Sequence, residues 1–104
     1  CSSDLIPAKS VVVIDCVTLW LTNFYVDTKY DVKKSLALAK EEISTLKKLD
    51  ATIIIISNEI GMGVHSDTEI GRKFTELQGW TNQEIARVSN KATFMVSGLA
   101  LQLK

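Results

Sequence analysis

Three stretches of the chain are uninterrupted apolar runs rich in β-branched residues: VVVID at 11–15, TIIIIS at 52–57 and TFMVS at 93–97. Runs this short and this greasy predict strands buried on both faces, as in a parallel sheet. Between the first two, Val32, Leu36, Ala39, Ile43 and Leu46 recur at steps of four and three, while Lys33, Lys34, Lys40, Glu41, Lys47 and Lys48 fill the opposite side. That is the pattern of an amphipathic crossover helix with a solvated basic face. In CVTLWLTNFYV, after the first strand, Val17, Trp20, Leu21 and Phe24 share one side of a further helix. Between the second and third runs, Ile70, Phe74, Leu77, Ile85 and Val88 keep helical spacing with Thr81 standing in the stripe. The preceding SDTE predicts a capping box of Ser66 with Glu69, and Gly79 marks a place for a bend. After a glycine, SGLALQLK at 97–104 alternates as a last short strand would. Strand, helices, strand, helix, strand predicts an α/β fold in three layers, a mostly parallel sheet with flanking helices, formed as one domain over residues 1–104.

Composition narrows the function classes. The 104 residues are 46% hydrophobic with one proline, enough for a single core. Twelve basic residues balance twelve acidic ones, so no summed field attracts nucleic acid or anionic lipid. The longest apolar runs fall far short of the roughly 20 residues that span a bilayer. No signal-peptide pattern opens the chain, and the compartment expected is the cytoplasm. Cys1 and Cys16 have neither zinc-ligand nor CxxC spacing, and Cys16 reads as a buried spectator.

The strand ends hold the candidate chemistry, because ligands of open parallel sheets sit beyond the carboxyl ends of the strands. Asp15 closes the first run, and Asn58 and Glu59 follow the second. An acid closing an apolar strand suits a carboxylate that helps hold magnesium on phosphates, but it equally suits a helix cap for the segment that follows. Gly61 and Gly63 either shape a ligand loop or permit a tight turn. The chain contains no GxxxxGK[ST] and no GxGxxG, so it encodes no glycine-rich phosphate cradle. His65, the single histidine, reads as a polar loop residue, and Trp20 and Trp80 read as core or interface anchors.

Three blocks in order, VVVIDCVTLWLTN (11–23), SNEIGMGV (57–64) and GRKFTELQGWTNQEIARVSNKATFMVSGLALQLK (71–104), resemble the carboxyl-terminal half of the adenosylcobinamide kinase/adenosylcobinamide-phosphate guanylyltransferase family. The resemblance runs from Val11 to Lys104 and is weakest at 24–51. It implies a P-loop NTPase fold of RecA-like type, incomplete here. It also implies a bifunctional enzyme of cobalamin biosynthesis that phosphorylates adenosylcobinamide with GTP or ATP, then transfers GMP from GTP onto that phosphate through a guanylylated histidine.

Carried over residue by residue, the resemblance puts Asp15 near the nucleotide phosphates, where it would bind magnesium indirectly. Asn58 and Glu59 match the family's NE at the next strand end. Gly61 and Gly63 would shape the substrate or nucleotide loop, and Arg72, Asn82 and Gln83 match polar positions on the long helix. The family's P-loop and guanylylated histidine belong to its amino-terminal half, and His65 is not that histidine. Where the family runs on with a VPEN-like stretch, this chain has VHSD (64–67). The expectation is therefore a part of the enzyme that is inactive alone, uses magnesium and forms homo-oligomers. Half of a different P-loop phosphotransferase, or a non-catalytic assembly module, are the alternatives.

Overall fold

The computed structural model describes residues 8–60 and 67–104. Strand β1 (Val11–Asp15) is followed by helices α1 (Val17–Asp27) and α2 (Val32–Lys47), strand β2 (Thr52–Ile56), helix α3 (Glu69–Val88) and strands β3 (Thr93–Val96) and β4 (Leu99–Gln102). This is the α/β order that the apolar pattern predicts. β1 and β2 pair in parallel, in a register that sets Val11 beside Thr52 and Asp15 beside Ile56.

Local chemistry starts and stops the helices. Cys16, in extended conformation, is the N-cap of α1 and supplies no side-chain hydrogen bond. Asp15 is therefore not that helix's cap residue. α1 ends where Lys29 and Tyr30 turn to positive φ (56° and 66°), with Tyr30 N donating to Tyr25 O at 2.7 Å. Left-handed conformation costs a residue with a Cβ roughly 1–2 kcal/mol, and packing of the Tyr30 ring edge-on to Tyr25, centroids 5.3 Å apart, offsets part of it. Asp31 caps α2 by accepting from Lys34 N at 3.0 Å. One turn in, Ser35 is fully buried and its hydroxyl donates to Asp31 O at 2.7 Å.

α3 departs from the expected capping box. Its N-cap is Thr68, whose hydroxyl accepts from Gly71 N at 3.0 Å. Glu69 is thereby the first helical residue, too early to reach back to a cap, and instead pairs with Lys73 at 3.1 Å. The helix continues through Gly79 to Val88 as one element.

The core lies where the three helices meet. Val17, Leu21, Tyr25, Ala39 and Leu77 are buried together, with Trp20, Phe24, Leu36, Ile55, Phe74 and Ile85 packed around them. Fully burying one such leucine is worth about 1.5–3 kcal/mol. Tyr25 ties α1 to α3, its hydroxyl donating to Ile70 O at 2.8 Å, and burial raises its phenol pKa above the ordinary 10.0.

Two expectations are corrected. The strands are not buried on both faces: Val11 and Val13 are 66% and 57% exposed, and Ile54 and Ile56 are 47% and 43% exposed. Their neighbours Val12, Ile14, Ile53 and Ile55 are half-buried. Side chains in register on parallel strands share a face, so the helices cover one face and leave the other open. Nor do the strands form one three-layer sheet. Among the described residues, β1–β2 is one two-stranded sheet and β3–β4 a separate antiparallel hairpin. β4 is the last short strand expected from SGLALQLK. Its pairing is local, because Ser97 and Gly98 both take positive φ (52° and 76°), as a two-residue hairpin turn of type I′ requires. No helix among the described residues is long and apolar enough to cross a membrane.

Candidate functional site

The carboxyl ends of β1 and β2 lie side by side, since Asp15 is in register with Ile56. Asp15 therefore stands one residue from the level of Ser57, with Asn58 and Glu59 following. Asp15 is exposed, and its side chain shares the uncovered face with Ile56. The Asp15–Cys16 peptide is cis. Cys16 is a half-buried free thiol.

Hydrogen bonds join this edge to two helices. Asn58 Nδ2 donates to Thr18 Oγ1 at 3.1 Å, linking the exit of β2 to the first turn of α1. From α3, Asn82 Nδ2 donates to Asn58 O at 3.1 Å. Ser57 Oγ donates to Asn82 Oδ1 at 2.5 Å. Gln78 Nε2 donates to Ser57 Oγ at 2.8 Å and to Asn82 Oδ1 at 3.1 Å. Gln78 is fully buried, and neither its Oε1 nor the hydroxyl of buried Thr81 has a partner among the described residues. A buried polar atom left so costs roughly 1–3 kcal/mol.

A model of the family described as cobinamide kinase / cobinamide phosphate guanyltransferase matches residues 2–103. The chain belongs to this family. It is 37% identical over 98 residues to the bifunctional adenosylcobalamin biosynthesis protein CobP of Pseudomonas aeruginosa, the match covering 93% of this chain and 55% of the relative. Against the bifunctional adenosylcobalamin biosynthesis protein CobU of Escherichia coli it is 27% identical over 113 residues, covering 98% of this chain and 62% of the relative. The protein of the same name from Salmonella typhimurium is 25% identical over 114 residues, covering 99% and 62%. The chain thus spans between about half and three-fifths of the length of these curated relatives, matching their carboxyl-terminal part.

In this family member the structure brings Asp15, Asn58 and Glu59 to one sheet edge. Arg72 lies in the first turn of α3, about 15 Å along the helix axis from Asn82 at 1.5 Å per residue. Gly61, Gly63, His65 and Ser66 lie outside the described residues. Asn82 enters the edge network, whereas Gln83 is exposed and lines an open groove of about 470 Å³ with Leu36, Lys40, Trp80, Glu84 and Arg87. That groove contains none of the strand-end residues. Within it Arg87 grips Glu84 through two hydrogen bonds, at 3.0 and 2.5 Å, which hold the Glu84 carboxyl below its ordinary pKa. Trp80 is 45% exposed and so is no core anchor, while Trp20 packs edge-on against Phe24 at 5.2 Å on the rim of the core.

Sequence reasoning missed Gln78 and Thr18. Gln78 sits next to Leu77 on the buried side of α3, and a glutamine there is invisible to a search for apolar periodicity. The available signal was an amide inside a helical stripe, one turn before Asn82.

Proposed function

We propose that the chain supplies the strand-end face of a cobinamide kinase and cobinamide-phosphate guanylyltransferase. In this reading the enzyme phosphorylates the aminopropanol hydroxyl of adenosylcobinamide with GTP or ATP, and then transfers GMP from GTP to that phosphate. The observation that supports it is that Asp15 and the Ser57–Glu59 segment leave neighbouring parallel strands at the same carboxyl end, in a chain of this family.

The donor set suits hydrated magnesium. Among the described residues no three acidic, histidine or cysteine side chains cluster into a metal cage. Magnesium does not need one: it keeps several waters and takes one or two carboxylates together with substrate phosphates. Asp15, an exposed carboxylate at a strand end, would hold it through that hydration shell. Bound there, the ion would offset charge on the phosphoryl oxygens. Asn58 and Glu59 would orient a substrate hydroxyl or water beside Asp15, and Gly61, Gly63 and Arg72 would belong to the substrate or nucleotide loop and its flank.

The whole domain would be a three-layer, RecA-like P-loop fold, with residues 1–104 as one part of it, acting as a homo-oligomer in the cytoplasm. The 104 residues alone would neither hydrolyse ATP nor retain a GMP adduct, because they encode neither a glycine-rich nest for phosphates nor, on the resemblance, the histidine that takes up GMP. Labelled GTP tests this, and an acid-labile, base-stable label on the isolated chain would reassign His65 as a nucleophile. For Asp15, replacement by asparagine in the full-length polypeptide is expected to lower magnesium-dependent turnover roughly 10- to 100-fold. Wild-type turnover in that variant would overturn its role.

A further inference from the structure

The bonds between α3 and the exit of β2 form a directed chain. The carbonyl of Asn58 can only accept, so Asn82 must turn its Nδ2 toward it and its Oδ1 toward Ser57. The single hydroxyl proton of Ser57 goes to that Oδ1. Gln78 must then present its Nε2 to the Ser57 oxygen, which turns its Oε1 away, buried and without a partner among the described residues. Stability alone does not ask for this arrangement. A methionine at 78 would fill a similar volume with no orphaned atom, and the bond between Ser57 and Asn82 would remain.

A buried amide with an unmet acceptor is thus kept against the edge that holds Asp15, Asn58 and Glu59. From this we infer that Gln78 and Asn82 are positioning residues for the phosphoryl and nucleotidyl transfer, an inference that rests on the strand-end reading above. Gln78 holds the Ser57 hydroxyl and the Asn82 amide, and Asn82 in turn holds the Asn58 carbonyl, so that the Asn58 side chain reaches Thr18, in the turn that follows Asp15. The three elements that meet at the edge, β2, α1 and α3, then move as one body.

The test is Gln78→Met in the full-length polypeptide, assayed well below its unfolding midpoint. Four quantities are read: that midpoint, backbone amide exchange at residues 58 and 59, kcat, and KM for adenosylcobinamide and GTP. The expected result is a midpoint equal to or above wild type, faster exchange at 58 and 59, and kcat lowered roughly 10- to 100-fold with KM little changed, as misplacement of reacting groups predicts. Asn82→Ala is expected to accelerate the same two amides. Wild-type kcat in Gln78→Met, lowered kcat without faster exchange at 58 and 59, or a midpoint well below wild type would each overturn the inference. The last would make Gln78 a core residue and nothing more. If the wild-type polypeptide lacks both activities while exchange at 58 and 59 still quickens in the variants, the proposed function fails and the clamp stands.

Discussion

Tyr25→Phe isolates a hydrogen bond that joins α1 directly to the start of α3. The substitution removes a hydroxyl and keeps the ring, so the contacts with Tyr30 and with Phe74, at centroid separations of 5.3 and 5.4 Å, persist. The acceptor, Ile70 O, lies in the first turn of α3 and keeps the intrahelical amide bond of its position, so no carbonyl is stranded. What is lost is the net worth of a neutral hydrogen bond, about 0.5–1.5 kcal/mol. At 1 kcal/mol the thermal midpoint drops by roughly 4–8 °C for a domain of about this size.

The pH dependence adds an independent check. Burial raises the Tyr25 phenol pKa in the folded chain, so the folded state holds that proton more tightly than the unfolded state. Its stabilising contribution is complete below the unfolded value near 10 and is lost as pH rises through the folded value. Urea denaturation followed by circular dichroism at pH 7 and across the alkaline range should show a wild-type stability decline above about pH 10 that is shallower in the variant. Equal stability at pH 7 together with identical alkaline limbs would refute both the hydrogen bond and the burial argument.

Leu77→Ala empties a fully buried site at the junction of the three helices and is expected to cost about 2–5 kcal/mol. Leu19→Ala, at a position 66% exposed, should stay within about 0.5 kcal/mol in the same denaturation assay. The uncovered face of β1–β2, with Val11, Val13, Ile54 and Ile56 open, is expected to drive self-association at micromolar concentration, read by sedimentation. A monomer with strongly protected amides at 52–57 and 93–97 would show that these strands close without a partner.

The sequence by itself determined which segments become strands and helices. Val32, Leu36, Ala39, Ile43 and Leu46 form the inward side of α2, and the three apolar runs are β1, β2 and β3. Periodicity is a property of neighbours in the chain, and burial needs only one face to be consistent. That Asp15 and Asn58 follow neighbouring strand ends was legible too, because both close runs of one parallel pair. Tertiary structure decided the rest. Whether Ser66 or Thr68 capped α3 depended on where that helix began, and both are plausible caps by residue type. Whether the strands were covered on both faces depended on where the helices lay, which an apolar run does not encode. Gln78 shows the difference most clearly: as a residue it is polar and belongs outside, but the crossing of α3 over the exit of β2 puts it inside, where Ser57 supplies a hydrogen-bond partner from a segment 21 residues away. Side-chain partners across such distances exist only after the chain has folded, and so they are set by packing and not by pattern.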